Sequence, residues 1–310
     1  MIAFALIGAA FYAAYAACNK YVYRSGLGGV PAAMLVITVC GLMAAPLALL
    51  CDTHWVPATA WHALFLGAVS APAMFLATYS YSREDASVVG PVISIKIVAL
   101  PFVEALLFGK SLSAGVWTGA GLCATGIVLV SQTDRWTLRP SLLLRPGVVM
   151  MACAGLVFAV GDVICGDAIT YWPDSWQFTV HLTVLQAAVG AACLLAIRLS
   201  SRSFRVRGNS PTVFGRLDLP ALRRAAVPLA AAGGAMLAAQ LCLFRSFQLG
   251  GNVTLTNILY STRSLMVVAL MAVLVFVAHS RVERAGWRAY AFRASGAVLL
   301  ACAIFVALRK

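Results

Sequence analysis

The sequence predicts an all-α, polytopic membrane protein with ten transmembrane helices in two inverted five-helix repeats. Three observations lead to this fold class. Of the 310 residues, 62% are hydrophobic and only 11% are charged, a balance that excludes a soluble domain of this size. The apolar residues form ten segments that are long enough to cross a bilayer as helices. The segments of the second half of the chain repeat features of the first half in the same order.

The ten predicted spans are separated mostly by short polar linkers, so consecutive helices should be antiparallel neighbours. In chain order they cover approximately residues 2–19, 30–50, 61–82, 86–108, 112–131, 147–170, 176–199, 225–249, 252–278 and 288–308. The longest polar stretch, 200–224, is basic and precedes the eighth span. The first segment has no basic region before it and no clear cleavage site, which favours a retained helix over a signal peptide.

An internal repeat relates residues 1–131 to residues 147–310, with a linker loop at 132–146. The matched pairs in the first, fourth and fifth spans of the two halves are Gly8 with Gly155, Lys96 with Arg263, and Gly126 with Gly296. Each half has five spans, an odd number, so the two copies must cross the membrane in opposite directions. Inverted repeats of this kind place a substrate site near the midplane, between the halves.

The formal charge of +13 comes mostly from short loops between the apolar segments. That distribution is typical of membrane proteins, and no charged block is long enough to predict binding to nucleic acid. If the ten spans alternate in direction, 16 lysines and arginines lie on one face, 3 lie on the other and 4 lie within spans. The positive-inside rule then places the basic face in the cytoplasm and both termini outside it.

The sequence predicts neither a cofactor nor an enzyme. Eight of the nine cysteines lie in apolar segments and none forms a CxxC pair, so disulfides and a metal site are not expected. The chain also has no HExxH, no GxSxG and no glycine-rich phosphate loop.

A recognisable order of features runs from residue 86 to residue 131. It consists of a small and polar helix start at 86–89, a long apolar span, a glycine with a polar turn at 108–112, and a helix with Gly119 and Gly126. This order resembles the end of an EamA domain of the drug/metabolite transporter superfamily, and residues 250–253 and 295–296 resemble it more loosely. The chain departs from that family at Lys110, where glutamate is usual, and near Ile97, where a proline is usual.

The resemblance implies a multi-pass permease of the bacterial inner membrane. Related ten-helix proteins are usually drawn with both termini in the cytoplasm, which opposes the orientation that the charge distribution predicts. Because substrates in this superfamily are very diverse, the resemblance does not name one.

Lys96 and Arg263 are the main candidates for binding a substrate. A cation in the middle of a span costs about 2.5–3.5 kcal/mol on insertion scales, and such residues often mark a transport pathway. Arginine suits two-point contact with a carboxylate or phosphate, and lysine acts as a compact charge. The alternative is a structural ion pair with Glu104 or Asp162. The two cations also resemble the basic residues that hold the substrate phosphate in sugar-phosphate translocators.

Three polar residues of the ninth span accompany Arg263. Asn252 and Thr256 share its helix face, and Tyr260 lies one turn away. Such side chains suit a hydrated binding cavity, although hydrogen bonding between helices is an equal alternative.

Asp162 and Tyr15 complete the candidate site. Asp162, inside the sixth span, is a candidate for binding a coupling proton or substrate, for pairing with a cation, or for a solvated position. Tyr15 shares a face of the first helix with Tyr12 and Asn19, either lining a cavity or packing in the core.

The sequence therefore predicts a secondary transporter that moves a small polar or anionic metabolite by alternating access through a central cavity. A coupling proton or a counter-substrate would drive it. Two alternatives stay open, a membrane-embedded lipid-handling protein or enzyme and a non-transporting membrane scaffold.

Overall fold

A computed structural model describes residues 1–27, 29–51, 57–109, 114–130, 144–203, 219–250, 253–278 and 286–308. All regular structure in these residues is helical, as expected where a bilayer offers no partner to unpaired backbone groups. The helices are α1 Ile2–Arg24, α2 Gly29–Ala48, α3 Pro57–Arg83, α4 Ala86–Val92, α5 Ile95–Phe108, α6 Ala114–Val130, α7 Pro146–Ala168, α8 Ser175–Ser203, α9 Leu219–Gly250, α10 Val253–Tyr260, α11 Arg263–Ala272 and α12 Trp287–Leu308.

Seven spans among the described residues are long and apolar enough to cross a membrane, which confirms a polytopic membrane protein. They are Ile2–Arg24, Gly29–Ala48, Ala86–Leu107, Pro146–Tyr171, Ser175–Ala196, Leu219–Leu249 and Thr256–Val277. Helices α3, α6 and α12 occupy the other three predicted segments. A total of ten spans stays a prediction.

The fourth and ninth predicted spans are each divided into two helices. In the fourth, α4 ends at Val92 and α5 begins at Ile95; in the ninth, α10 ends at Tyr260 and α11 begins at Arg263. Lys96 is thus the second residue of α5, and Arg263 is the first residue of α11. Hydropathy predicted both spans as single helices, because the residues at the two breaks are still largely apolar or small.

Hydrogen bonds explain why the helices break there. At the first break the N–H of Ser94 bonds the carbonyl of Pro91 at 2.9 Å, a tighter turn than that of an α-helix. Pro91 itself has no N–H to donate. At the second break the hydroxyls of Ser261 and Thr262 each donate to the carbonyl three residues earlier, at 2.6 and 2.8 Å, in competition with the helical backbone pattern.

Contacts between the two halves of the chain occur in exchangeable pairs. Helix α1 packs on α9 as α7 packs on α3, and α1 contacts α10 and α11 as α7 contacts α4 and α5. Helices at equivalent places in the halves also pack on each other, namely α2 on α8 and α6 on α12, and α4 packs on α11 as α10 packs on α5. Exchanging the halves therefore maps these contacts onto themselves.

Helices α6 and α12 meet at two glycines. A Cβ atom on Gly296 would lie 2.6 Å from the carbonyl oxygen of Gly126, and one on Gly126 would lie 2.9 Å from the carbonyl oxygen of Gly296. Only glycine allows such a close approach of two backbones, as in many membrane helix pairs.

Candidate functional site

A cavity lies inside the bundle, beside the breaks in the fourth and ninth spans. It encloses about 770 Å³, counting the space open to solvent. Its described lining comes from α1, α3, α5, α7, α8, α9, α10 and α11, and from Ile93 in the break between α4 and α5. The walls are mainly apolar, and the polar lining residues are Tyr12, Tyr15, Ser70, Lys96, Asp162, Gln186, Gln240, Tyr260 and Arg263.

The cavity brings together five of the seven residues that the sequence predicted for the site. These are Tyr15, Lys96, Asp162, Tyr260 and Arg263. Thr256 is fully buried in α10 and is not one of the described lining residues. Asn252 lies outside the described residues.

Lys96 and Asp162 form a buried ion pair across the cavity wall. The Nζ atom of Lys96 lies 2.6 Å from Oδ2 of Asp162, and the two residues are only 3% and 6% exposed. Of the two acids considered as partners for Lys96, the structure thus selects Asp162. Glu104 instead accepts a hydrogen bond from the hydroxyl of Thr254 at 2.9 Å. A solvated position for Asp162 is excluded by its burial.

Arg263 has no acid partner of this kind among the described residues, although it is only 2% exposed. Its guanidinium carbon lies 4.6 Å from the ring centroids of both Tyr12 and Tyr260, so aromatic faces provide part of its stabilisation. The Nζ atom of Lys96 lies 5.5 Å from the same Tyr260 ring. The two cations therefore share one aromatic side chain.

One edge of the Arg263 guanidinium has no hydrogen-bond partner among the described residues, while the group also hydrogen bonds the Tyr260 side chain. Its Nε and Nη2 atoms are buried and have no hydrogen bond to the described residues. These two nitrogens carry the parallel N–H groups that bind two oxygens of one anion. Buried polar groups are normally satisfied, so this edge is an exception within the described part of the chain.

The position of the cations at helix starts also favours anion binding. Helices α5 and α11 begin next to Lys96 and Arg263. A helix N-terminus carries partial positive charge and stabilises anions, whereas a cation at that end is unfavourable for the helix itself. Helix stability therefore does not explain the two cations. A hydrogen bond of 2.6 Å between the hydroxyls of Ser94 and Ser264 holds the two breaks together.

Comparisons with known proteins agree with this architecture. Residues 1–132 match the sequence model of the EamA-like transporter family. This part of the chain is similar to that family. The resemblance seen in residues 86–131 is thereby confirmed, and it is consistent with the drug/metabolite transporter superfamily.

One solved crystal structure is similar to this chain over almost its entire length. The similarity covers 96% of this chain and 96% of the other, with a TM-score of 0.56 and 15% sequence identity. At this identity the likeness shows a shared fold alone. No curated protein matches the chain.

Tyrosines of α1 and α3 form a hydrogen-bonded cluster behind the cavity. The hydroxyl of Tyr15 bonds the hydroxyl of Thr78 at 2.8 Å and accepts a hydrogen bond from Asn19 at 3.3 Å. The hydroxyls of Tyr12 and Tyr81 lie 3.3 Å apart. Tyr15 therefore contributes to the cavity lining while its hydroxyl is held by Asn19 of its own helix and Thr78 of α3.

Sequence reasoning missed a polar belt on the cavity wall. Gln186 of α8 donates to the hydroxyl of Ser70 at 2.6 Å, and Gln240 of α9 donates to Gln186 at 3.4 Å. The hydroxyl of Thr183 donates to Gln240 at 2.9 Å. The signal available in the sequence was a glutamine inside each of two apolar spans, where polar side chains need partners.

The turn between α3 and α4 carries a second group of charges. Lys20 donates to the backbone carbonyl of Glu84 at 2.5 Å. Arg145 lies 3.3 Å from the Glu84 carboxylate, and Arg293 lies 3.0 Å from the Asp85 carboxylate. The two ion pairs connect this turn to Arg145, directly before α7, and to Arg293 of α12.

Proposed function

We propose that the protein is a secondary transporter that moves a small polar or anionic metabolite by alternating access through the central cavity. The observation that carries this proposal is the free, buried edge of the Arg263 guanidinium. A purely structural arginine would have its N–H groups bonded to the protein, because leaving them unsatisfied is costly. A substrate anion that enters the cavity supplies the missing partner.

The polar lining residues take defined parts in this proposal. Arg263 binds the anion, while Lys96 and Asp162 set the charge of the cavity next to it. Tyr15 and Tyr260 contribute aromatic walls. Roles for Thr256 and Asn252 stay predictions from the ninth span's helical spacing.

The proposed architecture is ten transmembrane helices in two inverted repeats, residues 1–131 and 147–310. The exchangeable helix contacts and the matching breaks in the fourth and ninth spans support it. Discontinuous helices at the midplane are a common feature of transporters built from inverted repeats. Each half would move as a unit around the site.

The ion pairs at the turn between α3 and α4 suit a gate on the basic face. Arg293 with Asp85 joins opposite halves of the chain, and Arg145, directly before α7, pairs with Glu84. A rocking motion of one half against the other has to separate both pairs, so they favour the conformation in which this face is closed. A coupling proton or a counter-substrate would drive the cycle, in the inner membrane of a bacterial cell.

Transport by purified protein in liposomes tests the proposal. Liposomes preloaded with a mixture of unlabelled organic anions are assayed for exchange with radiolabelled anions outside. The unmodified protein should exchange at least one of them. Lys96→Ala and Arg263→Ala should abolish exchange, whereas Arg245→Ala, at a partly exposed ion pair with Asp174, should not.

Size-exclusion chromatography must show that each variant is folded before its flux is compared. Normal exchange by both cavity variants contradicts the proposal. Movement of labelled lipid between leaflets without any anion exchange would instead favour a lipid-handling protein.

A further inference from the structure

The chemical class of the substrate follows from the charges and hydrogen-bonding groups of the cavity, given the transport function proposed above. We infer that the substrate is a monocarboxylate. Its carboxylate pairs with Nε and Nη2 of Arg263, and its single negative charge balances the single unbalanced positive charge of the site.

The geometry of the free edge suits a carboxylate. Nε and Nη2 of Arg263 present parallel N–H groups that match the two oxygens of one carboxylate. Both atoms are buried in the cavity wall and bond to no described residue. Lys96 does not compete for the anion, since its ammonium group is held by Asp162 at 2.6 Å.

The charge of the cavity limits the anion to one negative charge. Lys96, Arg263 and Asp162 are the described lining residues whose side chains are normally charged at neutral pH, and together they carry one positive charge. A carboxylate brings the total to zero. A phosphate monoester carries about −1.5 to −2 charges at neutral pH and would leave a buried site with excess negative charge, which is costly in a membrane.

The rest of the lining fits an apolar body with a neutral polar end. Leu182, Met236 and Leu243 are among the apolar walls. The amides of Gln186 and Gln240 bond to each other and to neighbouring hydroxyls. Each amide has more than one donor or acceptor position, so the belt is able to hydrogen bond a neutral substrate group and offers no charge to a second anionic one.

Binding by matched probes tests the inference on the purified full-length protein in detergent. The panel is a set of aliphatic and aromatic monocarboxylates. Each is compared with its amide and with the phosphate ester that carries the same hydrocarbon group as the carboxylate. One triplet is 4-methylpentanoate, 4-methylpentanamide and 3-methylbutyl phosphate. We expect carboxylates to bind at least about tenfold more tightly than both partners in their triplets, because a charge-assisted pair is lost in the amide.

Arg263→Lys should weaken carboxylate binding about tenfold or more, although it preserves the charge, because lysine lacks the two-point edge. Arg245→Lys is the matched control, since that arginine lies outside the cavity beside Asp174, and its carboxylate affinity should equal that of the unmodified protein. Equal affinities in the Arg263→Lys variant and the unmodified protein would overturn the inference.

A charge switch tests the balance separately. Asp162→Asn raises the cavity charge by one. The ratio of carboxylate affinity to phosphate-ester affinity within a triplet should therefore fall at least about tenfold. The double variant Lys96→Gln/Asp162→Asn restores the original total and should prefer carboxylates again. If Asp162→Asn does not fold, the double variant still decides, because a preference for phosphate esters in it contradicts the charge balance.

The test separates this inference from the proposed function. Tighter binding of phosphate esters by the unmodified protein, or no binding of any carboxylate in the panel, overturns the monocarboxylate assignment. Exchange of phosphate esters in liposomes without exchange of carboxylates overturns it as well and leaves transport standing. Carboxylate binding at Arg263 without any flux supports the site and refutes transport.

Discussion

The ion pair between Lys96 and Asp162 should be the main electrostatic contribution to stability at the cavity. Its Nζ and Oδ2 atoms lie 2.6 Å apart and its residues are 3% and 6% exposed. At an effective dielectric constant of 20, two unit charges at that distance attract by about 6 kcal/mol. Removing one partner of a buried pair costs about 3–5 kcal/mol, because the other charge stays buried and uncompensated. Asp162→Asn should therefore destabilise the fold by about 3–5 kcal/mol.

A double-mutant cycle measures the contribution of the pair. Asp162→Asn, Lys96→Gln and the double variant are unfolded in mixed micelles by increasing denaturing detergent, and the unfolding free energies are compared. The double variant should be more stable than the sum of the single effects by about 2–4 kcal/mol, since it removes both charges together. The control cycle uses Arg245 and Asp174, whose side chains are 41% and 44% exposed at 3.3 Å, and should give less than about 1 kcal/mol.

Additive single effects in the cavity cycle would refute the reasoning. They would mean that Lys96 and Asp162 do not compensate each other in the folded protein, and the charge balance proposed for the substrate site would then lose its basis. A coupling energy as small as that of the exposed control pair would have the same meaning.

Three further predictions concern packing, gating and orientation. Gly296→Ala should destabilise the fold by about 1–3 kcal/mol in the same unfolding assay, because the added methyl group meets the carbonyl oxygen of Gly126; the neighbouring, exposed Ser295→Ala should change it by less than about 0.5 kcal/mol. Asp85→Asn removes the ion pair with Arg293, so the proposed gate should open more often. In a chain that keeps Cys165 as its single cysteine, a thiol reagent added at the basic face should then label this cavity residue faster. An unchanged labelling rate contradicts the proposed gate. The charge distribution predicts both termini outside the cytoplasm. A C-terminal reporter that is active only outside the cytoplasm should therefore give a signal. A signal from a reporter that is active only in the cytoplasm would favour the usual orientation of the family instead.

The sequence by itself determined the class of protein and the main candidates for its site. Long apolar segments have one stable solution in a bilayer, the helix, so composition and segment length were enough to predict an all-α membrane protein. A cation in such a segment is costly wherever it lies, and for that reason Lys96 and Arg263 were identifiable without a structure. The features of residues 86–131 were likewise sufficient to suggest the EamA-like family that residues 1–132 match.

Tertiary structure alone decided how these residues are paired. The sequence offers two acids, Glu104 and Asp162, as partners for Lys96. The packing of α5 on α7 brings Asp162 to Lys96, whereas Glu104 accepts a hydrogen bond from Thr254. The breaks beside both cations depend on hydrogen bonds that hydropathy does not register, such as those of Ser261 and Thr262.

The same limit explains the residues that sequence reasoning missed or placed differently. Thr256 shares a helical face with Arg263 in a continuous helix, but the break after Tyr260 separates them, and Thr256 is not in the described lining. The belt of Gln186 and Gln240 joins residues of α8 and α9 that are 54 positions apart. Sequence periodicity identifies neighbours along one helix, whereas a site inside a bundle is built from residues that meet only when the helices pack. The unsatisfied Nε and Nη2 atoms of Arg263 could therefore be identified only from the packed structure.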